Sequence, residues 1–114
     1  MANDFFLKQG DTFPNLETIL SDENGPVLLT GSVVTFRMGQ KGVLFLEKLA
    51  TIVTPQTGAD IGKCYIEFET GETDIVGTYN VEWRVEFAGG KVATFPRSNS
   101  SSDFNKLVIK KDVG

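Results

Sequence analysis

Histidine is absent from this 114-residue sequence, and cysteine occurs once. Without histidine, the Ser-His-Asp and Cys-His catalytic arrangements are excluded, and one thiolate with carboxylates is a poor ligand set for zinc. A single cysteine also excludes an intrachain disulfide, so the core alone must hold the fold, as suits production in a reducing cytoplasm. We therefore expect no enzyme activity, no cofactor and no metal site.

Long apolar runs and basic patches are missing as well. No run approaches the roughly 20 apolar residues that cross a bilayer, and the N-terminus lacks the basic start and apolar centre of a signal peptide. The net charge is −4 and the pI is about 4.7. Because an acidic surface repels phosphate, we expect neither nucleic-acid binding nor membrane insertion.

What the sequence does contain is strand after strand of alternating polarity. In "GTYNVEWRVEF", residues 77–87, apolar and polar side chains alternate, as in a strand with one buried and one solvated face. A second stretch, "SVVTFRM", repeats the pattern. The two stretches predict a core that contains Tyr79, Val81, Trp83, Val85 and Phe36.

Similar stretches recur about every ten residues, separated by turn residues. They are "FFLKQGD", "NLETILSD", "GVLFLEKLATIVT", "KCYIEF", "KVATFP" and "KLVIKK". "DENGP" and Gly89-Gly90 predict hairpin turns, "RSNSSSDFN" predicts a polar loop, and no segment keeps helical periodicity. "GVLFLEKLATIVT" is compatible with two short strands or with one irregularly bent strand. The pattern predicts an all-β, immunoglobulin-like antiparallel β-sandwich that forms a single domain over residues 1–114, without a disulfide.

A tyrosine near the start of the strand at residue 77 favours the sandwich over a barrel. "TDIVGTY" places Asp74 and Gly77 just before Tyr79, where immunoglobulin-like sandwiches carry a tyrosine corner. The antibody pattern has a cysteine two residues later, and here that residue is Val81. The prediction is therefore a tyrosine corner outside the antibody family, with Trp83 between the sheets.

The remaining chemically reactive side chains have structural explanations. Cys64 falls on the inward side of its strand, so we expect a buried core residue. The carboxylate pairs Glu67 with Glu69 and Glu82 with Glu86 lie on solvent-facing strand positions. We interpret both pairs as solvated surface rather than as a glycosidase site.

The string "FLKQGDTFPNLETILSDENGPVLLTGSVVTFRM" resembles the N-terminal immunoglobulin-like domain of phage baseplate upper proteins. The order of its turns and strands carries the resemblance, through Lys8, Gly10, Asp11, Thr12, Pro14, Leu20, Asp22, Gly25, Pro26, Leu29, Thr30, Gly31, Val34, Phe36 and Met38. The later half is similar through Gly77, Tyr79, Glu82, Thr94, Phe95 and Pro96.

The resemblance implies a structural protein of a phage virion, in a tail, baseplate or neck. In that family the domain docks a receptor-binding or fibre module onto the baseplate core. The sequence ends at Gly114, so we expect an adaptor that lacks the stalk of the larger relatives. The implied partners are other virion proteins, contacted by many copies of this chain in a symmetric ring.

The run Val43, Leu44, Phe45 and Leu46 is the predicted partner-contact surface. If the strand alternates regularly, Val43 and Phe45 lie on one face and Leu44 and Leu46 on the other. Either both faces are covered within the fold, or one face meets a partner. The first strand "FFLKQ" and the last strand "KLVIK" are the predicted sheet edges, and they offer alternative contacts.

A small carbohydrate-binding, adhesin-like module on the virion surface is the alternative function. Sugar sites use an exposed aromatic platform, and Tyr65, on the outward face beside Glu67, is the strand aromatic that could supply one.

Overall fold

The computed structural model describes residues 3–95 and 104–111. It contains eleven strands and a short 3-10 helix at Gly58–Asp60. The strands are β1 (Asn3–Lys8), β2 (Leu16–Ile19), β3 (Ser21–Asp22), β4 (Gly25–Pro26), β5 (Val33–Gln40), β6 (Val43–Leu49), β7 (Thr51–Ile52), β8 (Lys63–Ile66), β9 (Gly77–Glu86), β10 (Val92–Phe95) and β11 (Phe104–Lys110). No helix in these ranges is long and apolar enough to cross a membrane.

Two main sheets form the sandwich. The larger sheet has the order β1-β11-β9-β5-β6, with β10 beside the second half of β9, and the smaller sheet has the order β2-β8-β7. Strands β3 and β4 form a separate hairpin. The predicted immunoglobulin-like β-sandwich is confirmed, with the refinement that β1 and β11 pair in parallel while the other pairs are antiparallel.

The predicted core residues are buried between the sheets. Their exposed fractions are 1% for Tyr79, 4% for Val81 and 0% for Trp83, Val85 and Phe36. The Trp83 ring meets Phe36 edge to face, with the ring centroids 4.9 Å apart, a favoured geometry for an aromatic pair. The alternation of β9 therefore sets which side chains fill the space between the sheets.

The smaller sheet supplies the opposite side of the core. Leu16 and Leu20, from the β2 segment, and Cys64 and Ile66, from β8, are at most 2% exposed. The burial of Cys64 confirms the predicted core cysteine. The predicted turn at "DENGP" is confirmed by the β3–β4 pairing.

The position of the last strand differs from the prediction. β11 lies between β1 and β9, so it is an internal strand. β1, β6 and β10, which lies beside the second half of β9, each have a single neighbouring strand among the described residues. The sequence pattern of "KLVIK" could not show this, because parallel pairing with β1 joins two ends of the chain that are far apart in sequence. Residues 97–103 of the predicted Ser-rich loop lie outside the described part of the chain.

A bulge interrupts the pairing of β5 with β6. Met38 is opposite Leu46 and Gly39 is opposite Leu44, so Phe45 is an extra residue without a paired residue on β5. A Cβ atom built on Gly39 would lie 2.3 Å from the Val43 carbonyl oxygen, so only glycine fits this close approach. "GVLFLEKLATIVT" thus holds two strands, β6 and β7, and β6 is itself irregular.

The tyrosine corner is confirmed. The Tyr79 hydroxyl donates a hydrogen bond to the Ile75 carbonyl oxygen at 2.6 Å. Burial raises the pKa of the Tyr79 phenol above its ordinary value of 10.0, because desolvation disfavours the phenolate. The corner therefore ties the loop before β9 to the core through a protonated hydroxyl.

Replacing Tyr79 with phenylalanine is expected to lower the free energy of unfolding by about 1 kcal/mol at pH 7, the usual contribution of one hydrogen bond. Because the folded-state pKa is raised, the stabilising term is complete below pH 10.0 and declines as the pH rises through the folded-state pKa. Urea unfolding at pH 7 and above pH 10 measures both effects. The difference between the two proteins should narrow in alkali.

The matched control is Tyr65→Phe, which removes a hydroxyl that has no hydrogen-bond partner among the described residues. It should leave the unfolding midpoint unchanged at pH 7. A Tyr79→Phe variant as stable as the parent would contradict the contribution assigned to the corner.

Candidate functional site

β6 forms an exposed, apolar edge of the larger sheet. Val43 is 59% exposed, Leu44 48%, Phe45 42% and Leu49 70%. On one side β6 pairs with β5, and on the other side it has no neighbouring strand among residues 3–95 and 104–111. We call the peptide groups of β6 that point away from β5 the β6 edge. An apolar strand with unpaired peptide groups is a template for association.

The bulge changes the faces on which the four candidate residues lie. Phe45 packs against Tyr79, with the ring centroids 5.0 Å apart, and Leu46 packs against the buried core. Leu44, opposite Gly39, lies on the outer face with Asn80 and Glu82. The expected grouping of Leu44 with Leu46 is therefore wrong, because the extra residue reverses the alternation at Phe45.

A hollow lies on either side of the first half of β6. The outer hollow, of about 240 Å³, lies over Gly39 and is bordered by Val43, Leu44, Asn80 and Glu82. The inner hollow, of about 200 Å³, opens between the bulge and the tyrosine corner and is lined by Phe45, Ile75 and Tyr79, among others. β6 thus borders a depression of mixed polarity on each face of the sheet.

Ion pairs surround this apolar surface. On the outer face, Arg37 Nε lies 3.1 Å from Glu47 Oε2, and Arg37 Nη1 lies 3.3 Å from Glu82 Oε1. On the inner side, Lys48 Nζ lies 2.8 Å from Glu72 Oε1 and donates to the Glu67 carbonyl oxygen at 2.6 Å. Lys48 therefore joins the edge of the larger sheet to the loop that follows β8. Both cations are already engaged within the chain.

The carbohydrate-platform alternative gains no supporting geometry. Tyr65 is half-buried, lies between Glu17 and Thr51 in the smaller sheet, and borders neither of the two hollows. Sugar binding at Tyr65 stays a prediction. Among the described residues, no group of three histidine, cysteine, aspartate or glutamate side chains is placed to hold a metal ion.

Gln56 is a structurally important residue that the sequence patterns did not indicate. It is 8% exposed, and its Oε1 accepts hydrogen bonds from the backbone N–H groups of Leu29 and Gly62 at 3.0 and 2.9 Å. Its Nε2 donates to the carbonyl oxygens of Val53 and Asp60 at 2.7 and 2.8 Å. A glutamine in a loop carries no sequence signal for such a role, since its partners are set by the folded structure.

Comparison with known proteins leaves the family open. No family model matches the sequence, and no curated protein matches it. Among solved structures, the chain is similar to the crystal structure of CopC from Methylosinus trichosporium OB3b. The TM-score is 0.49 and the identity 13%, over 97% of this chain and 87% of that one. No functional residue of this protein follows from that similarity.

Proposed function

We propose that this protein is a non-enzymatic structural component of a phage virion, an adaptor that docks neighbouring tail, baseplate or fibre proteins through β6. One observation carries the docking role. β6 is an unpaired sheet edge whose apolar side chains Val43, Leu44 and Phe45 are each more than two-fifths exposed. Exposed apolar side chains that are contiguous along one sheet edge are a recognised feature of interaction sites.

The resemblance to phage baseplate upper proteins supplies the virion setting. Several of the residues that carry it occupy turn and core positions here. Gly10, Gly25 and Gly31 have positive φ angles of 87°, 111° and 76°, and Leu20 and Leu29 are fully buried. The resemblance is therefore in the residues that specify the fold, which supports a shared architecture. The docking role is supported separately, by the exposed residues of β6.

Repetition around a ring makes a small contact surface sufficient. A half-exposed leucine or phenylalanine recovers part of the roughly 1.5–3 kcal/mol that full burial of such a side chain provides. A single contact of this size is weak, but linked contacts in a symmetric assembly add through effective concentration. We expect the isolated protein to remain monomeric in dilute solution and to be held firmly only in the particle.

Replacing Leu44 with serine is expected to leave the protein folded and to reduce its incorporation into particles about tenfold, the effect of losing roughly 1.4 kcal/mol at each contact. The reason is that Leu44 lies on the outer face and is 48% exposed. The measurement is quantitative mass spectrometry of phage particles produced by cells that carry the variant gene.

Two further variants control this experiment. Leu28→Ser changes a leucine that is 55% exposed outside β6, and it should incorporate normally. Phe45→Ser removes the ring that packs on Tyr79, and it should lower the free energy of unfolding by about 2 kcal/mol. Normal incorporation of Leu44→Ser, or absence of the unmodified protein from the particles, would count against the proposed function.

A further inference from the structure

The β6 edge has hydrogen-bonding groups in the geometry of an open sheet. The Ala50 N–H donates to the Val34 carbonyl oxygen at 2.8 Å. Hydrogen-bonded and non-hydrogen-bonded pairs alternate along an antiparallel ladder. The next hydrogen-bonded pair after Ala50 and Val34 is therefore Lys48 with Phe36. The peptide groups of Glu47 and Leu49 therefore point away from β5. These two residues offer the donors and acceptors that an added strand needs.

A second copy of this chain is a poor occupant of the β6 edge. In an antiparallel pair of two β6 strands, opposite residues share a face of the sheet. A register centred on Glu47 places that carboxylate against its own copy, and a register centred on Lys48 opposes two ammonium groups. A register centred on Leu49 would need Thr51, which already pairs with Tyr65 in the smaller sheet. Since opposed like charges are destabilising, the charge pattern disfavours self-pairing in the registers that use the outward peptide groups of Glu47 and Leu49.

The charges around β6 favour a basic partner. The charged residues of β6 and of the two hollows are Arg37, Glu47, Lys48, Glu72, Asp74 and Glu82. Two are cations and four are anions, which leaves a net charge of −2, and both cations form ion pairs within the chain. Asp74 has no ion pair among the described residues. A partner segment that carries lysine or arginine complements this field.

The exposed side chains of β6 favour apolar residues at neighbouring positions of that segment, one for each face of the sheet. A strand added beside β6 points its side chains to opposite faces of the sheet. On the inner side they approach Phe45 and Ile75, and on the outer side they approach Leu44. The surface at the β6 edge thus combines apolar contact on both faces with a negative rim.

We propose that the β6 edge accepts, by strand addition, an extended segment of a different protein that combines apolar residues with lysine or arginine. This proposal rests on the proposed docking role of β6 and specifies its partner. Main-chain hydrogen bonds at Glu47 and Leu49 supply the attachment, and the apolar and acidic surroundings of β6 supply the selectivity.

The test uses two capped heptapeptides in which pairs of valines are separated by single charged residues, lysine in one peptide and glutamate in the other, titrated into the isotopically labelled protein. We expect the lysine peptide to shift the amide resonances of Glu47 and Leu49, and we expect the glutamate peptide to bind about tenfold more weakly. Added salt should weaken the binding of the lysine peptide, because the charges concerned are partly exposed.

Two substitutions of Leu49 distinguish strand addition from non-specific binding of the peptide. Leu49→Pro removes the outward N–H at an edge position, where proline is tolerated, and should abolish the binding of the lysine peptide. Leu49→Thr keeps that N–H and should retain the affinity within about threefold. If Leu49→Pro fails to fold, Glu47→Lys replaces it and should abolish the preference between the two peptides, because it brings the net charge of these residues from −2 to 0.

Several results would overturn the proposal. These are equal binding of the two peptides, resonance shifts centred on a strand other than β6, full binding by a folded Leu49→Pro variant, or failure of the lysine peptide to bind. Concentration-dependent dimerisation in the ultracentrifuge, lost in Leu49→Pro, would assign the edge to a second copy instead. Absence of the protein from phage particles would overturn the proposed function alone, whereas failure of the lysine peptide would overturn strand addition alone.

Discussion

Replacing Trp83 with alanine is expected to lower the free energy of unfolding by about 3–5 kcal/mol, the usual cost of truncating a large buried aromatic residue. Trp83 is 0% exposed and lies opposite Phe36 on β5 and Phe95 on β10, so three aromatic residues fill the centre of the larger sheet. The cavity left by alanine has rigid neighbours on both sides. A loss of this size approaches the whole stability of a small domain.

Trp83→Phe is the matched control, and it should cost much less than alanine. The Trp83 Nε1 atom is buried with no hydrogen-bond partner among the described residues, so phenylalanine keeps much of the packing while it removes an unsatisfied donor. Both variants should be followed by circular dichroism during urea unfolding, because Trp83 is the only tryptophan and its fluorescence is lost. Equal costs for the two variants would show that ring packing is not the source of the stability.

Replacing Gln56 with alanine is expected to cost at least about 2 kcal/mol, because each of the two buried N–H groups that lose their acceptor costs about 1–3 kcal/mol. The substitution leaves the N–H groups of Leu29 and Gly62 without their acceptor and the carbonyl oxygens of Val53 and Asp60 without their donor. The loops that meet at Gln56 should loosen together. Hydrogen exchange at the Leu29 and Gly62 amides, together with urea unfolding, measures the local and global effects.

The neighbouring residue provides the control for Gln56. Thr57 is exposed and makes no side-chain capping hydrogen bond to the 3-10 helix, so Thr57→Ala should change stability by no more than about 0.5 kcal/mol. Gln56→Ala could instead lower the free energy of unfolding no more than Thr57→Ala does and leave the hydrogen-exchange protection of the Leu29 and Gly62 amides unchanged. The hydrogen bonds of the Gln56 side chain would then contribute little to stability.

Local alternation predicted most of the sandwich, because the side-chain period of a strand is a local property. The buried faces of β2, β5, β8 and β9 follow from it, and the tyrosine corner followed from the short spacing between Asp74 and Tyr79. The place of a strand within a sheet, by contrast, depends on pairing with segments far away in sequence. The internal place of β11 depends on parallel pairing with β1, which no local pattern records.

The sequence predicted the position of the candidate site but not the faces of the sheet on which its side chains lie. Val43, Leu44 and Phe45 are exposed at an edge, yet the grouping of Leu44 with Leu46 on one face is wrong, because Phe45 is the extra residue of a bulge. Gly39 inside the β5 pattern was the available signal, since an isolated glycine in a strand indicates a bulge or a close backbone approach. The register that makes Phe45 the unpaired residue is set by the partner strand and could not be read from β6 alone.

We propose that β6 is where this protein meets its neighbours in a virion, and a cryo-electron microscopy reconstruction of the phage particle would decide the matter. We expect copies of the sandwich arranged symmetrically, with residues 43–46 covered by density from an adjacent protein. A particle that contains the sandwich with β6 facing solvent and another surface in contact would contradict the claim, as would a particle without the protein.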